Sequence, residues 1–301
     1  MRGLPGWDAE DHLAALLVVR RVCKASPAQL PERLCGEAEV APATDAAARD
    51  FLEAHFRPER IAGEGVLTAY FAPTYPARER PEGEFSAPVR SMWETTSDRA
   101  AIEAAPLASA LAWMRPEDLY FLQIQGSGEL DFANGRRLRA VYAGSNGRPY
   151  VAIASAMAAR GLIAEQDANA SGVHAWLAAH RGPQADAIMR LNPRYIFFRL
   201  VPDDGAEPRG ASGATLIAGR SLAVDPAYHG YFGLYWVDAD QPALAGARQT
   251  YRRLAAALDT GSAIKGGARA DLYLGRGAAA GAEAGTVRHR LTLYRLVPVS
   301  P

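Results

Sequence analysis

Three aspartates, Asp225, Asp259 and Asp271, sit beside apolar, strand-forming residues. Leu222, Ala223 and Val224 precede the first, Ala257 and Leu258 the second, and Leu272 and Tyr273 follow the third. All three are expected at strand ends rather than on a solvated helix face. A carboxylate half-sheltered by apolar walls has a raised pKa, because burial disfavours its charged form. Such a group can donate a proton near neutral pH, the requirement for a general acid. Asp-Thr-Gly and Asp-Pro are also common turn sequences, so each aspartate taken alone reads first as a turn former. Neutral polar groups suited to a sugar cluster in two other segments. Thr68 and Tyr70 in GVLTAYFAP suit hydrogen bonding and ring stacking, and Gln123, Gln125, Gly126 and Ser127 in YFLQIQGSG offer donors and acceptors. Between Asp259 and Asp271, Gly261, Gly266 and Gly267 allow a tight loop with exposed backbone. Lys265 in that loop either orients a carboxylate or is simply exposed. For each of these residues a structural role is the alternative reading. His12, His55, His174, His180 and His289 show no ligand spacing, so no metal is expected, and no cofactor is expected.

The elements that must position these residues follow from capping and periodicity. Asp8 is expected to cap a helix reaching about Val22, and Thr44 another reaching about Phe56. Gly63 to Pro73 reads as strand. Pro73, Pro76 and Pro81 with the charged run from Arg78 to Glu84 mark a boundary. Tyr120 to Ile124 alternates and is expected to be a buried strand, with Gly126 and Gly128 in the following turn. Helical patterns cover Val151 to Arg160, Ser171 to His180 and Ala185 to Leu191, and Asn192-Pro193 stops the last. Tyr195 to Val201 is again a strand. The Gly-, Pro- and acid-rich segment from Asp203 to Gly213 reads as a second boundary. Beyond it the pattern is nearly all β, at Ser221 to Val224, Leu234 to Asp238, Leu254 to Leu258, Asp271 to Leu274 and Leu291 to Val297. Two boundaries bracketing a middle block suggest one domain inserted into another, and no internal repeat is legible.

The chain of 301 residues is long enough for a sizeable core. Acids and bases balance at 33 each, so no strong field gathers nucleic acid, and no nucleic-acid partner is expected. No apolar run approaches the roughly 18 residues of a membrane span; Leu13 to Val19 belongs to an amphipathic helix ending near Cys23.

The segment DTGSAIKGGARADLYLG from Asp259 to Gly275, with SLAVDP at Ser221 to Pro226, resembles the 3D domain of the membrane-bound lytic murein transglycosylase A family, named for three such aspartates. The likeness extends, in order, through GVLTAYFAP, YFLQIQGSG, YAGSNGRPY at Tyr142 to Tyr150 and LNPRYIFF at Leu191 to Phe198, so it covers about residues 60 to 298. Departures are Ala69 where glycine is usual, Phe71 where tyrosine is frequent, Ser262 where a second glycine is common, and AYHGYFG at Ala227 to Gly233 in place of a proline-glycine turn. The last leaves the loop after Asp225, and His229 within it, without a family counterpart.

The resemblance implies a mainly β fold with peripheral helices. A double-psi β-barrel would form from residues 1–75 and 206–301, with a second β-rich, substrate-binding domain of residues 76–205 inserted and a groove between them. It also implies cleavage of peptidoglycan without water. An ordinary glycosidase needs two carboxylates. A lytic transglycosylase uses the C6 hydroxyl of the same muramic acid as nucleophile, so one acid suffices and the product carries a 1,6-anhydro ring. The resemblance assigns that acid to Asp271, with Asp259 and Asp225 supporting it through charge and position. Thr68, Tyr70, Gln123, Gln125, Gly126, Ser127, Gly261, Lys265 and Tyr273 would contact substrate. The partners implied are peptidoglycan glycan strands and proteins of cell-wall synthesis or division, with the enzyme itself a monomer. The resembling proteins are exported to the periplasm and commonly lipid-anchored at the outer membrane, yet no cleavable signal is legible. Either this is a mature or shortened form, or export is not encoded here. In an exported protein the even pair Cys23 and Cys35 suggests a disulfide; two separate buried thiols are the alternative.

Two rivals differ in class. An aspartic protease shares the Asp-Thr-Gly hallmark, but it needs two such aspartates sharing a proton, and neither Asp167 nor Asp204 has an equivalent setting. A non-catalytic cell-wall binding or scaffolding module would keep the fold without needing all three aspartates.

Overall fold

The computed structural model describes residues 1–107, 110–261 and 263–299; Ser262 therefore lies outside the described residues. Helices α1 (His12–Ala25), α2 (Glu32–Val40) and α3 (Asp45–His55) are followed by β1 (Phe56–Arg60) and β2 (Gly65–Ala72). Then come β3 (Thr74–Ala77), β4 (Ala87–Val89), α4 (Arg99–Ala104), β5 (Ala112–Met114), α5 (Pro116–Gln125), β6 (Ser127–Phe132) and β7 (Arg137–Ser145). Helices α6 (Ile153–Ala159), α7 (Ala170–Ala179) and α8 (Pro183–Met189) lead to β8 (Ile196–Pro202). The chain ends with β9 (Ser221–Ala223), β10 (Leu234–Pro242), β11 (Tyr251–Asp259), β12 (Arg269–Arg276), α9 (Gly277–Ala284) and β13 (Arg288–Pro298). These elements fall into two compact units, Met1–Phe71 with Glu207–Pro301, and Ala72–Ala206. Thr74–Ala77 goes with the second unit because it pairs in parallel with β6.

In the first unit the α1 cap is Asp11, whose side chain accepts from the Ala14 amide at 2.8 Å, rather than the expected Asp8. Asp8 lies in a preceding 3-10 turn, Trp7–Ala9, and pairs with Arg49. Glu10 explains the later start. It is buried, accepting the Leu254 amide of β11 at 2.7 Å and an Arg220 donor at 2.7 Å, so the first turn is pinned to the sheet before the helix begins. Thr44 caps α3 as expected, accepting from the Ala47 amide. A disulfide joins Cys23 in α1 to Cys35 in α2.

The strands of this unit run in the order β1-β13-β10-β11-β9-β12-β2, and β13 pairs in addition with β2. Strand period 2 divides their side chains between two faces. Leu67, Leu222, Val224, Tyr235, Val237, Leu272, Leu291 and Leu293 pack into one apolar cluster, and the alternating residues face the other way. The β pattern expected after Gly213 is interrupted by α9, an Ala- and Gly-rich stretch without capping side chains.

The second unit holds a four-stranded sheet, β3-β6-β7-β8, and a two-stranded one, β4-β5. Tyr120–Ile124 is not a strand; it lies within α5. Both ends of that helix carry the signals that decide it: Pro116 in the first turn with Glu117 and Asp118, and Gly126 as C-cap at φ 79°. Leu119, Leu122 and Gln123 then share a buried helical stripe. The strand begins just after, at Ser127. The other helical patterns of the middle block are found as α6, α7 and α8. No helix among the described residues is long and apolar enough to cross a membrane.

The Cys23–Cys35 bridge closes a loop of sequence separation 12. Cys23→Ser with Cys35→Ser is expected to cost about 3 kcal/mol by loop entropy, read as a lower denaturant midpoint. Reductant should shift the parent protein likewise and leave the double variant unmoved.

Candidate functional site

Asp259 at the end of β11 and Asp271 in β12 both pair with Ala223 of β9, one from each side. Asp259 reaches that row only because of a bulge. Ala256 pairs with Ser221 and Ala257 with Leu222, and then Asp259, not Leu258, pairs with Ala223. Without the extra residue Asp259 would follow Ala257 into the apolar cluster; with it the side chain turns to the face shared with Asp271. The penalty avoided is large, since an unpaired buried carboxylate costs several kcal/mol. Ala223 between them contributes only a methyl group to that face.

Strand β2 supplies the partners. The Thr68 hydroxyl donates to Oδ1 of Asp271, and Arg269 donates to Thr68 Oγ1 at 2.7 Å, which leaves the hydroxyl proton to point at the carboxylate. Two residues on, Tyr70 donates its hydroxyl to Asp259 Oδ2 at 2.8 Å. The other Asp259 oxygen accepts the Ala211 and Thr260 amides, each at 2.9 Å. The two carboxylates thus differ in kind. Both oxygens of Asp259 are bonded, whereas among the described residues nothing bonds Oδ2 of Asp271. Burial pushes the Asp271 carboxyl above the ordinary value of 3.8; the Thr68 bond and the Arg269 charge oppose this, and the Asp259 charge adds to it. Burial also raises Asp259, against the pull of the Ala211, Tyr70 and Thr260 bonds. Tyr70 is held well above its ordinary range by burial and by Asp259, so it stays a donor.

Tyr273 is buried, packs its ring 5.2 Å from that of Tyr70 and donates its hydroxyl to Glu207 at 2.5 Å. It fixes the Tyr70 ring and is covered itself. Asp225 is also buried and does a different job. Its oxygens accept the Gly266 amide at 2.8 Å and the Ala227 amide at 3.1 Å, and these two bonds hold its carboxyl below the ordinary range. It is therefore a charged anchor for the loop before β12. Gly266 meets it at φ 96°, a backbone state side chains disfavour. His229 anchors the same loop: buried, it bridges Tyr235 Oη at 3.1 Å and the Gly267 carbonyl at 2.7 Å. Burial lowers its pKa, so it is a neutral strut. Lys265 is exposed, its charge close enough to favour ionised Asp225. The Gly261 carbonyl accepts the Ile264 amide at 3.0 Å, closing a turn.

In the second unit, Gln123 is buried and donates to the Ile196 carbonyl at 3.3 Å. It is a packing group of the α5–β8 contact, not an outward contact. Gln125 is exposed at the helix end, Gly126 caps it and Ser127 opens β6. Arg269, Glu207 and the Ala211 amide were not anticipated from the sequence. Arg269 is two residues before Asp271, hence on its face of the strand, a signal present in the sequence. Glu207 and Ala211 lie in a segment that reads as a linker and carry no local signal.

Known proteins carry the same pattern. Residues 90–199 match the model described as the MltA specific insert domain, and residues 220–297 the 3D domain. This chain belongs to the MltA family. It is 32% identical over 240 residues to membrane-bound lytic murein transglycosylase A of Escherichia coli K12, a match covering 75% of this chain and 64% of that protein. It thus spans less than two thirds of that relative's length. Among solved structures, the membrane-bound lytic murein transglycosylase of Agrobacterium tumefaciens superposes with a TM-score of 0.84 at 28% identity, covering 99% of this chain and 96% of that one. E. coli MltA with bound chitohexaose gives 0.79 at 26% identity, covering 96% and 90%.

A carboxyl whose folded pKa is raised holds its proton longer in the native state. Stability then declines as pH rises from the ordinary 3.8 through the raised value, and the full penalty is present above it. Asp271→Asn should accordingly be more stable than the parent at pH 7, by about 1.4 kcal/mol for each tenfold change in proton affinity. The difference should close as pH falls towards 3.8, which chemical denaturation across that range would measure.

Proposed function

We propose that this protein is a lytic transglycosylase that cleaves the β-1,4 bond between N-acetylmuramic acid and N-acetylglucosamine in peptidoglycan, with Asp271 as its single acid and base. The observation that carries this reading is the asymmetry of the carboxylates. Asp271 is sheltered, raised in pKa and has one oxygen unbonded, while Asp259 and Asp225 spend theirs on the fold. In the reaction Asp271 Oδ2 gives its proton to the glycosidic oxygen as the C1–O4 bond breaks. The resulting carboxylate takes the proton of the muramic C6 hydroxyl as that oxygen bonds to C1, which closes the 1,6-anhydro ring and restores the acid. Thr68, oriented by Arg269, keeps the carboxyl in one rotamer, and the negative charge of Asp259 favours its protonated form.

The chitohexaose bound by the E. coli relative is a β-1,4 chain of N-acetylglucosamine, which supports a glycan of this kind as substrate. Gln125, Gly126 and Ser127 are the residues of the inserted unit proposed to meet it. The strand neighbours of the first unit support closure into a double-psi β-barrel: β2, β13, β10, β11, β9 and β12 follow one another in the pairing order, and β13 pairs again with β2. The naming of the curated relatives as membrane-bound supports a periplasmic site of action at the outer membrane, where the protein acts as a monomer on glycan strands.

Asp271→Asn is expected to lower turnover of purified peptidoglycan by about 10²- to 10⁴-fold, the usual worth of a general acid, with circular dichroism unchanged. Asp259→Asn and Asp225→Asn should lose less. Products formed in oxygen-18 water should carry no label at the new muramic terminus, resist borohydride and weigh one water less than hydrolytic fragments. Label at C1 with a reducible end would mean a water nucleophile and end the single-acid mechanism.

A further inference from the structure

A cavity of about 590 Å³ opens in the first unit beside the C-terminal end of α1, within the size range of small-ligand sites. Its charged lining is Arg21, Lys24 and Arg209, with no acidic residue, and its apolar walls include Val22, Phe232 and Leu258. All three cations are exposed, and among the described residues none has a carboxylate partner. Arg209 is nevertheless held in place, donating to the Gly213 carbonyl at 2.7 Å within its own hairpin. Phe232 sits at φ 65°, the one described non-glycine residue with a positive φ, a strained state that persists where the surroundings enforce it; its amide is fixed on the Ala257 carbonyl at 2.7 Å.

The cavity is physically continuous with the segment that holds the site. Leu258 in its wall is the bulged residue before Asp259. The hairpin that carries Arg209 gives its Ser212 amide to the Leu258 carbonyl at 3.2 Å and its Ala211 amide to Asp259 at 2.9 Å. Ligand held here therefore rests against the same hairpin that orders Asp259.

We propose that this cavity binds the carboxylate-bearing peptide stem carried by muramic acid, a reading that rests on the peptidoglycan substrate proposed above. A stem presents several carboxylates separated by methyl and methylene groups. Three cations lining one cavity with apolar walls match that pattern, whereas a single compact anion would engage only part of it. The contacts are solvent-exposed, so their strength falls with salt.

The test compares the parent protein with Arg21→Gln/Lys24→Gln/Arg209→Gln on two substrates, peptide-bearing glycan strands and strands stripped of peptide by an amidase. The preference for peptide-bearing strands, taken as the ratio of kcat/KM values, is expected to fall roughly tenfold in the triple variant. An equal change on both substrates, or no change on either, overturns the proposal. Free stem tripeptide titrated into Asp271→Asn should bind at 50 mM salt, weaken at 500 mM, and lose binding when the three cations are neutralised. Binding of inorganic phosphate as tight as that of tripeptide would instead mean a generic anion patch. If the parent cleaves neither strand, it is the enzymatic reading that fails, and the tripeptide titration still decides whether the cavity takes stems.

Discussion

A single extra residue in β11 governs the candidate site. Leu258 is unpaired in the register with β9, and this displaces Asp259 by one step, from the apolar cluster to the face that carries Asp271. Side-chain direction in a strand alternates strictly, so no smaller change could move the carboxylate from the apolar cluster to the opposite face of the strand. The same bulge leaves the Leu258 carbonyl out of the ladder, where it accepts the Ser212 amide, and brings Asp259 within reach of the Ala211 amide. The hairpin after the second crossing between the two units is thereby tied to the acid pair.

The three carboxylates are told apart by burial together with the donors each one meets. Asp225 takes two backbone amides and stays ionised. Asp259 takes two amides and a tyrosine hydroxyl, which engage both of its oxygens although burial raises its proton affinity. Asp271 takes one hydroxyl, and burial raises its proton affinity too, but among the described residues one of its oxygens is left free. Arg269 contributes indirectly: by donating to Thr68 it fixes the direction of the one bond that Asp271 accepts. A proton that must be given away and recovered is best held where one oxygen is anchored and the other free.

The peripheral helices serve this arrangement mechanically. Glu10 bonds the Leu254 amide of β11 and Trp7 packs edge-on against Trp236 of β10, so the turn ahead of α1 is fixed to the strands that carry the bulge. Asp225 and His229 clamp the loop leading into β12, one as an ion and one as a neutral ring. The loop after Asp225, which lacks the expected proline-glycine turn, is stabilised by that histidine instead.

Much of this was legible in the chain itself. Alternating apolar residues around Leu222, Leu272 and Leu293 specify strands with one buried face, Thr44 marks a helix start, and the three aspartates stand out because apolar neighbours on short strands predict shelter. Local pattern misled at Tyr120–Ile124, where alternation over five residues is compatible with strand and helix alike, and the flanking Pro116 and Gly126 settled it. It also misplaced the cap of α1, because the pinning of Glu10 to Leu254 spans 244 positions. What the sequence could not determine is the division of labour among the aspartates. That depends on which donors arrive from β2 and from the hairpin at Ala211, at separations of 203 residues for Thr68 and Asp271 and 48 for Ala211 and Asp259. Type and alternation are local properties of the chain, whereas the number of hydrogen bonds on a carboxylate is decided only when distant strands are brought into register.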